Sequence, residues 1–234
     1  MPAIRRADEK LRDVSRRMIL DRTASLLVRQ GYGTTSLRDI AQACDMKAGS
    51  LYYHFESKDA LVEEILTEGV NRVESAVQKA LDAMFDAAPL DRVRVAMEVH
   101  LRTLHDRSDY ASAHIRCFSH VPDDMRRRLR RTRRSYDAVW AGLLEAAQAA
   151  GDIAADVDLL TLRFAIIGML NWTLEWRLPS GAGPEEMADR FYRIAFQGRA
   201  TPDFGWALFV SCIRARISML AKILHYGILG FQME

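Results

Sequence analysis

The side chains with the clearest chemical potential lie between residues 31 and 60, where small residues and hydrogen-bond donors follow one another. Small residues at the start of a helix let its backbone approach base edges, and lysine can donate hydrogen bonds to guanine. Hydroxyl, imidazole and ammonium groups suit phosphate oxygens, and a lysine at a helix start adds charge to free backbone amides. The pattern therefore predicts a DNA-contacting surface. Its candidate residues are Lys47, Ala48, Gly49, Ser50, Tyr53, His54 and Lys58.

Two short helices joined by a tight turn are expected to position these residues. Ser36 and Asp39 have the spacing of a capping box, which starts a short second helix. Asp45 lies in the following turn, where aspartate tolerates a left-handed backbone. A third helix over 48–55 completes a helix-turn-helix. The competing interpretation is a plain helical hairpin with its tyrosines in a core. In the third helix the side chains expected to be buried are Leu51, Tyr52 and Phe55.

The rest of the chain also follows helical periodicity. Ser57 is a suitable N-cap for a helix that continues to about Met84 and joins the first part of the chain rigidly to the rest. Residues 159–178 are apolar on every side, which predicts a helix that is buried on two sides. No segment alternates with period two. We therefore predict an all-α fold of about nine helices.

The composition restricts the class of protein. The length of 234 residues is typical of one or two domains, and 33 basic against 31 acidic residues leave no charge imbalance that points to a partner. Three scattered cysteines argue against a disulfide framework and favour a cytoplasmic location. The first residues lack the apolar region of a secretory signal, and no apolar run reaches the length of a membrane span.

Catalytic and metal-binding motifs are not found in the sequence. Four histidines, His100, His105, His114 and His120, are spaced so that no two share a helical face, as a metal-binding pair would. There is no Ser-His-Asp signature, no glycine-rich phosphate loop and no paired cysteine motif. We therefore expect neither an enzyme nor a cofactor or metal site.

Residues 12–72 resemble the DNA-binding domain of the TetR family of bacterial transcriptional regulators. The matching motifs are Ile19–Leu20, Gly31–Tyr32, Thr34–Thr35, Arg38–Ala41, Gly49–Phe55 and Ser57–Lys58. The resemblance implies a homodimer with a DNA-binding head over residues 12–72, whose helix-turn-helix spans 36–55. It also implies a ligand-binding and dimerisation body over residues 73–200.

The resemblance also implies roles for single residues in the head. Arg38 and the 47–49 segment would approach the bases of a pseudo-palindromic operator. Phosphates would be held by Ser36, Ser50, Tyr53, His54 and Lys58. Two positions depart from the family pattern, since Asp45 replaces the usual turn glycine and Ala48 replaces a common lysine. The base preference therefore does not follow from the resemblance.

The segment from Phe164 to Arg177 and the Pro/Gly-rich turn after it resemble a subgroup of these regulators that responds to acyl-CoA. The resemblance implies an acyl-CoA inducer and pairing of the helices over 159–178 and 184–197 across a dimer axis. Packing in a core or interface is the competing interpretation of Trp172 and Trp176. By helical face, the expected ligand-lining residues are Met97, Leu101, Leu104, Phe118, Trp140, Phe164, Gly168 and Trp172.

An arginine run and an apolar tail complete the set of unusual segments. Residues 126–134 contain seven arginines in nine positions. They form either a solvated face balanced by nearby acids or a site for the phosphates of a CoA-like ligand, since arginine forks suit phosphate. Residues 201–234 are apolar, with basic interruptions too frequent for a membrane span. They form either an extra covering helix or a poorly ordered extension.

Three functions compete at the level of sequence. The first is a repressor released from DNA by a small-molecule inducer such as an acyl-CoA. The second is a repressor of a drug-efflux gene that senses aromatic or cationic compounds. The third is a helical small-molecule-binding protein or enzyme that does not use DNA, and the helix-turn-helix pattern argues against it.

Overall fold

The computed structural model describes residues 2–106, 108–175 and 181–197, with side chains from residue 12 onward. These residues form nine α-helices and no strand, which confirms the predicted all-α class. Residues 201–234 lie outside the described part, as do Trp176 and Arg177. The helices are α1 (Pro2–Thr34), α2 (Leu37–Ala43), α3 (Ala48–Leu51), α4 (Lys58–Asp82), α5 (Pro89–Leu104), α6 (Tyr110–Cys117), α7 (Asp123–Ala149), α8 (Leu159–Trp172) and α9 (Pro184–Gln197).

The predicted caps and turns of the first helices are present. Ser36 and Asp39 form both bonds of a capping box at the start of α2, and Ser57 accepts from the amide of Ala60 at the start of α4. Asp45 has a left-handed backbone with φ 54° in the α2–α3 turn. Gly31 interrupts α1 with φ 79°, a conformation that glycine adopts without steric cost. The helix-turn-helix is thus specified by local residue chemistry.

The third helix is shorter than predicted. It ends at Leu51, and residues 52–54 form turns. Leu51 and Phe55 are buried as expected, but Tyr52 is 59% exposed, so the expectation that it packs in the core is wrong. Tyr52 keeps a helical backbone with φ −66° and ψ −16°, and its ring lies outside the core that Leu51 and Phe55 enter.

Two apolar clusters hold the helices together. One lies within the α4–α9 part and includes Trp140, Leu144 and Phe191. The other contains the inner residues of α1 to α4 and continues into α6 and α7 through Tyr110 and Leu129. The helices up to Phe196 form one compact unit. The helix-turn-helix therefore shares its apolar core with α6 and α7.

Candidate DNA-binding surface and ligand cavity

The start of α3 forms an uninterrupted exposed surface. Lys47, Ala48, Gly49 and Ser50 are all exposed, and Arg38 of α2 is exposed as well. A Cβ atom at Gly49 would meet nothing within 4 Å, so the surface around it is open. Exposed small residues beside two basic side chains are suited to entering a DNA groove. The turn at Asp45 positions this surface by redirecting the chain between α2 and α3.

Two of the side chains that are predicted to contact phosphates make hydrogen bonds within the protein. The Ser36 hydroxyl donates to Oδ2 of Asp39 at 2.6 Å and accepts from the Asp39 amide at 3.2 Å. Nζ of Lys58 donates to the backbone oxygen of Tyr32 at 2.8 Å and lies 4.1 Å from the centre of its ring. Lysine has three N–H donors, so this bond leaves two for a phosphate. The phosphate roles of both residues stay predictions.

Tyr53 and His54 lie beside arginines of α1. The guanidinium of Arg12 is 4.9 Å from the centre of the Tyr53 ring. Burial, together with the positive charges of Arg12 and Arg16, lowers the pKa of His54, so its ring is neutral at neutral pH. Tyr52 is an exposed aromatic in the same turn and a further candidate contact. The sequence pattern alone predicts its burial, because periodicity does not show how far neighbouring helices cover the side of α3 on which it lies.

A cavity with about 50 Å³ of open space lies among five helices, α4 to α8. Its wall is apolar on the α4 and α6 side and polar where α5, α7 and α8 approach. The lining residues include Val70, Val73, His100, Leu104, Ala111, His114, Ile115, Arg133, Tyr136, Asp137, Ile167 and Asn171.

The cavity has a different lining from the one expected from helical faces. Of the eight expected residues only Leu104 contributes. Trp140 is fully buried in the core, and Phe118 lies under the guanidinium of Arg133. The others divide into Met97 and Leu101, which are fully buried in the core, and Phe164, Gly168 and Trp172, which lie on the exposed face of α8. The apolar pattern of α8 does not distinguish its cavity side from its outer side.

The polar wall of the cavity contains a chain of three side chains. Nδ1 of His100 is 2.7 Å from the Tyr136 hydroxyl, and Nε2 is 3.1 Å from Oδ1 of Asn171. The amide oxygen only accepts, so Nε2 donates to it and Nδ1 accepts from the tyrosine. Burial lowers the pKa of His100 to about 4 and keeps the ring neutral. The two histidines of the wall interrupt apolar helix faces, and that interruption is the sequence signal that could have identified them as cavity residues.

The arginine run divides into three groups. Arg126 and Arg128 pair with acids, Arg128 reaching Glu63 at 2.6 Å, and Arg133 lies on Phe118 and lines the cavity. The remaining four are exposed on one face of α7 and make no hydrogen bond or ion pair within the described residues. They are Arg127, Arg130, Arg131 and Arg134. The balance by nearby acids is thus present at Arg126 and Arg128, and a phosphate role for the other arginines stays a prediction.

Helix α6 connects the cavity with the DNA-contacting region. Its residues Ala111, His114 and Ile115 line the cavity. At its start, the Tyr110 hydroxyl donates to Oδ1 of Asp21 at 2.7 Å, and Oδ2 of Asp109 accepts from the Ser25 hydroxyl at 2.6 Å. Both partners lie on α1.

The outer face of α8 carries an exposed apolar stripe. Leu160 and Phe164 lie one turn apart, Trp172 lies two turns further along the same side, and Phe164 is 64% exposed. Gly168 lies between them, with nothing within 4 Å of its Cβ position. A contiguous apolar surface of this kind marks a protein–protein interface.

Membrane spans and metal clusters are both absent from the described residues. None of the described helices is long and apolar enough to cross a membrane. No group of three or more His, Cys, Asp or Glu side chains there is arranged to hold a metal ion.

The chain matches two known protein families. The family described as "Bacterial regulatory proteins, tetR family" matches residues 19–65. The family described as "Tetracyclin repressor-like, C-terminal domain" matches residues 86–199. Together they span the helix-turn-helix, the cavity helices α5 to α8 and the exposed stripe.

Similar individual proteins agree with this assignment. The HTH-type transcriptional repressor KstR2 of Rhodococcus jostii (strain RHA1) is 26% identical over 191 residues, which is 79% of this chain and 90% of that protein. The structure of AibR in complex with isovaleryl coenzyme A and operator DNA is 27% identical with a TM-score of 0.69, covering 78% of this chain and 98% of AibR. PfmR from Thermus thermophilus is also 27% identical, with a TM-score of 0.68 over 78% of this chain and 99% of that one. From the exposed helix-turn-helix and these matches to transcriptional regulators, we conclude that the chain belongs to the TetR family and is a DNA-binding transcriptional regulator, not an enzyme.

Proposed function

We propose that this protein is a repressor that binds a pseudo-palindromic operator as a homodimer and is released by an acyl-CoA. The observation that carries the proposal is the cavity, whose wall includes α6; this helix is bonded to α1, which shares an apolar core with the helix-turn-helix. The likeness to AibR, which was solved with isovaleryl coenzyme A and operator DNA, supports the class of inducer. A cytoplasmic location, with access to DNA, belongs to the same proposal.

The size of the cavity suggests how release would work. About 50 Å³ of open space is enough for a few water molecules but not for an acyl chain. A ligand must therefore bind to a conformation in which the surrounding helices have moved apart. Because α6 is bonded to α1, that conformation would hold the helix-turn-helix differently, and the ligand would shift the population away from the DNA-binding form. Operator DNA would weaken ligand binding by the same factor, since coupling is reciprocal.

The exposed arginines of α7 support a ligand with phosphate groups. Arg133 lines the cavity, and Arg130 and Arg134 lie one turn or less from it on the same helix. The nucleotide end of coenzyme A carries phosphates, which arginine binds through paired N–H donors. A ligand with its acyl part in the cavity and its phosphates on this face would use both features.

The homodimer is supported by the stripe on α8. In a single chain the stripe exposes large apolar side chains to water, which is unfavourable. Pairing of this face with a second copy would bury it. A two-fold dimer would also place two helix-turn-helix motifs on the two halves of a palindromic site.

The proposal is tested by titrating acyl-CoA esters of several chain lengths into the protein–operator complex in a gel-shift assay. We expect at least one ester to release the DNA, and we expect Arg130→Gln with Arg134→Gln to raise the ester concentration needed. Lys79→Gln, which removes an exposed charge from α4, is the matched control and should change nothing. Release by free aromatic drugs and by no CoA ester would indicate an efflux repressor instead.

A further inference from the structure

His114 is a buried histidine with one unsatisfied nitrogen in the cavity wall. It is only 4% exposed, and its Nδ1 lies 2.9 Å from the backbone oxygen of Leu66 in α4. Its Nε2 is buried and has no hydrogen-bond partner in the part of the chain that the structure describes. Buried polar atoms normally have a partner, so an orphaned one requires an explanation.

The bond to Leu66 determines what Nε2 can accept. A carbonyl oxygen cannot donate, so Nδ1 must carry the hydrogen. Burial and the nearby charge of Arg133 lower the pKa of His114 to about 4, so the ring is neutral at neutral pH. In a neutral imidazole with hydrogen on Nδ1, Nε2 carries only a lone pair. The missing partner is therefore a hydrogen-bond donor.

His100 provides the contrast within the same cavity. Both of its nitrogens already have hydrogen-bond partners, Tyr136 and Asn171, so its ring needs no partner on a ligand. Next to His114 the wall is formed by Val70, Ala111 and Ile115 and by Arg133, whose guanidinium lies on the Phe118 ring and makes no hydrogen bond to Nε2. A ligand can therefore supply the missing donor from the part of it that lies in the cavity.

We infer that the cavity selects a ligand whose apolar acyl part carries a hydroxyl group, which donates a hydrogen bond to Nε2 of His114. This inference rests on the proposed function, because the cavity is taken to be the inducer site. Without a ligand, a water molecule can fill the role of donor. A saturated acyl chain would displace that water and leave Nε2 unpaired, whereas a hydroxyl group replaces the bond.

The test compares matched ligands by calorimetry on the DNA-free protein. The probes are butyryl-, hexanoyl- and octanoyl-CoA, each against its 3-hydroxyacyl counterpart. We expect the hydroxylated ester of the best-fitting length to bind about tenfold more tightly than the saturated ester of the same length. This is the effect of one buried hydrogen bond, together with the cost of leaving its acceptor unpaired.

Two substitutions of one position separate the hydrogen bond from the rest of the site. In His114→Asn the amide nitrogen can still donate to the Leu66 oxygen, but no atom replaces Nε2. The hydroxylated and the saturated ester should therefore bind this variant with about equal affinity. In His114→Gln the amide oxygen can reach the position of Nε2, so part of the preference should remain. Circular dichroism checks that both variants fold.

Three outcomes would overturn the inference. Equal affinity of the parent protein for both members of every pair excludes a hydroxyl contact. A preference that persists unchanged in His114→Asn assigns the contact to another residue. Failure of all six esters to bind refutes both the inference and the acyl-CoA inducer, whereas the first two outcomes leave the inducer class intact.

Discussion

At the scale of single residues, Arg38 is the exposed basic side chain of α2 and donates no hydrogen bond within the described residues. If it reads a base directly, Arg38→Ala should weaken operator binding by roughly 1–3 kcal/mol and relax the base preference at one position. Fluorescence anisotropy with operator variants measures both effects. Lys79→Ala on α4 is the control for loss of one charge. Unchanged affinity and unchanged base preference in Arg38→Ala would remove this residue from the interface.

The two buried cavity histidines predict a loss of stability in acid. His100 and His114 have folded pKa values of about 4, against about 6.5 in an unfolded chain, because burial disfavours the charged rings. Between these values the unfolded chain binds more protons, so the free energy of unfolding falls as the pH drops through 6.5 towards 4. The full effect is roughly 3 kcal/mol for each ring and is absent above about pH 7.

Urea unfolding at pH 7.5, 6 and 5 measures this dependence. His114→Asn removes one of the two rings, so its stability should fall less steeply with pH than that of the parent protein. Equal pH dependence of the variant and the parent would mean that His114 titrates with the same pKa in the folded and the unfolded state, so that burial does not lower it.

At the scale of helices, α4 and α6 are in close backbone contact at Gly69. A Cβ at this position would lie 2.4 Å from the backbone oxygen of Tyr110, so the two helices can approach only because residue 69 has no side chain. Gly69→Ala should therefore displace α6 and destabilise the fold by roughly 1–3 kcal/mol, despite the better helix propensity of alanine. It should also weaken operator binding, because α6 is bonded to α1.

Gly142→Ala is a matched control on α7. A Cβ at Gly142 meets nothing within 4 Å, so this substitution should stabilise the protein by up to about 1 kcal/mol through helix propensity alone. Thermal unfolding of both variants gives the comparison. If the two substitutions shifted the melting temperature in the same direction by the same amount, close packing at Gly69 would not limit the α4–α6 contact.

At the scale of the whole molecule, the exposed stripe of α8 predicts the oligomeric state. Phe164→Glu places a charge in the stripe at a side chain that a single chain does not bury, so the dimer should dissociate while each chain stays folded. Light scattering gives the mass and circular dichroism the helix content. Phe85→Glu, in the turn between α4 and α5 where the phenyl ring is 76% exposed, should leave the mass unchanged. A dimeric Phe164→Glu protein would place the interface elsewhere.

Features that depend on local chemistry could be predicted from the sequence. The capping box at Ser36, the left-handed turn at Asp45 and the N-cap at Ser57 each follow from hydrogen bonds or backbone preferences within a few residues. The all-α class followed from periodicity, and the family followed from the spacing of motifs around α3. Tyr52 marks the limit of that reasoning, since the extent to which other helices cover the inner side of α3 depends on tertiary packing.

Tertiary packing sets which residues line the cavity and which arginines of the 126–134 run are paired with acids. Five helices contribute to the cavity, and their relative rotation depends on long-range packing such as the contact at Gly69. The helix α8 is apolar on all sides, so its periodicity carries no information about which side faces the cavity and which side faces water. The need of His114 for a hydrogen-bond donor likewise depends on a distant residue, because the Leu66 oxygen, 48 residues away in the chain, occupies its other nitrogen.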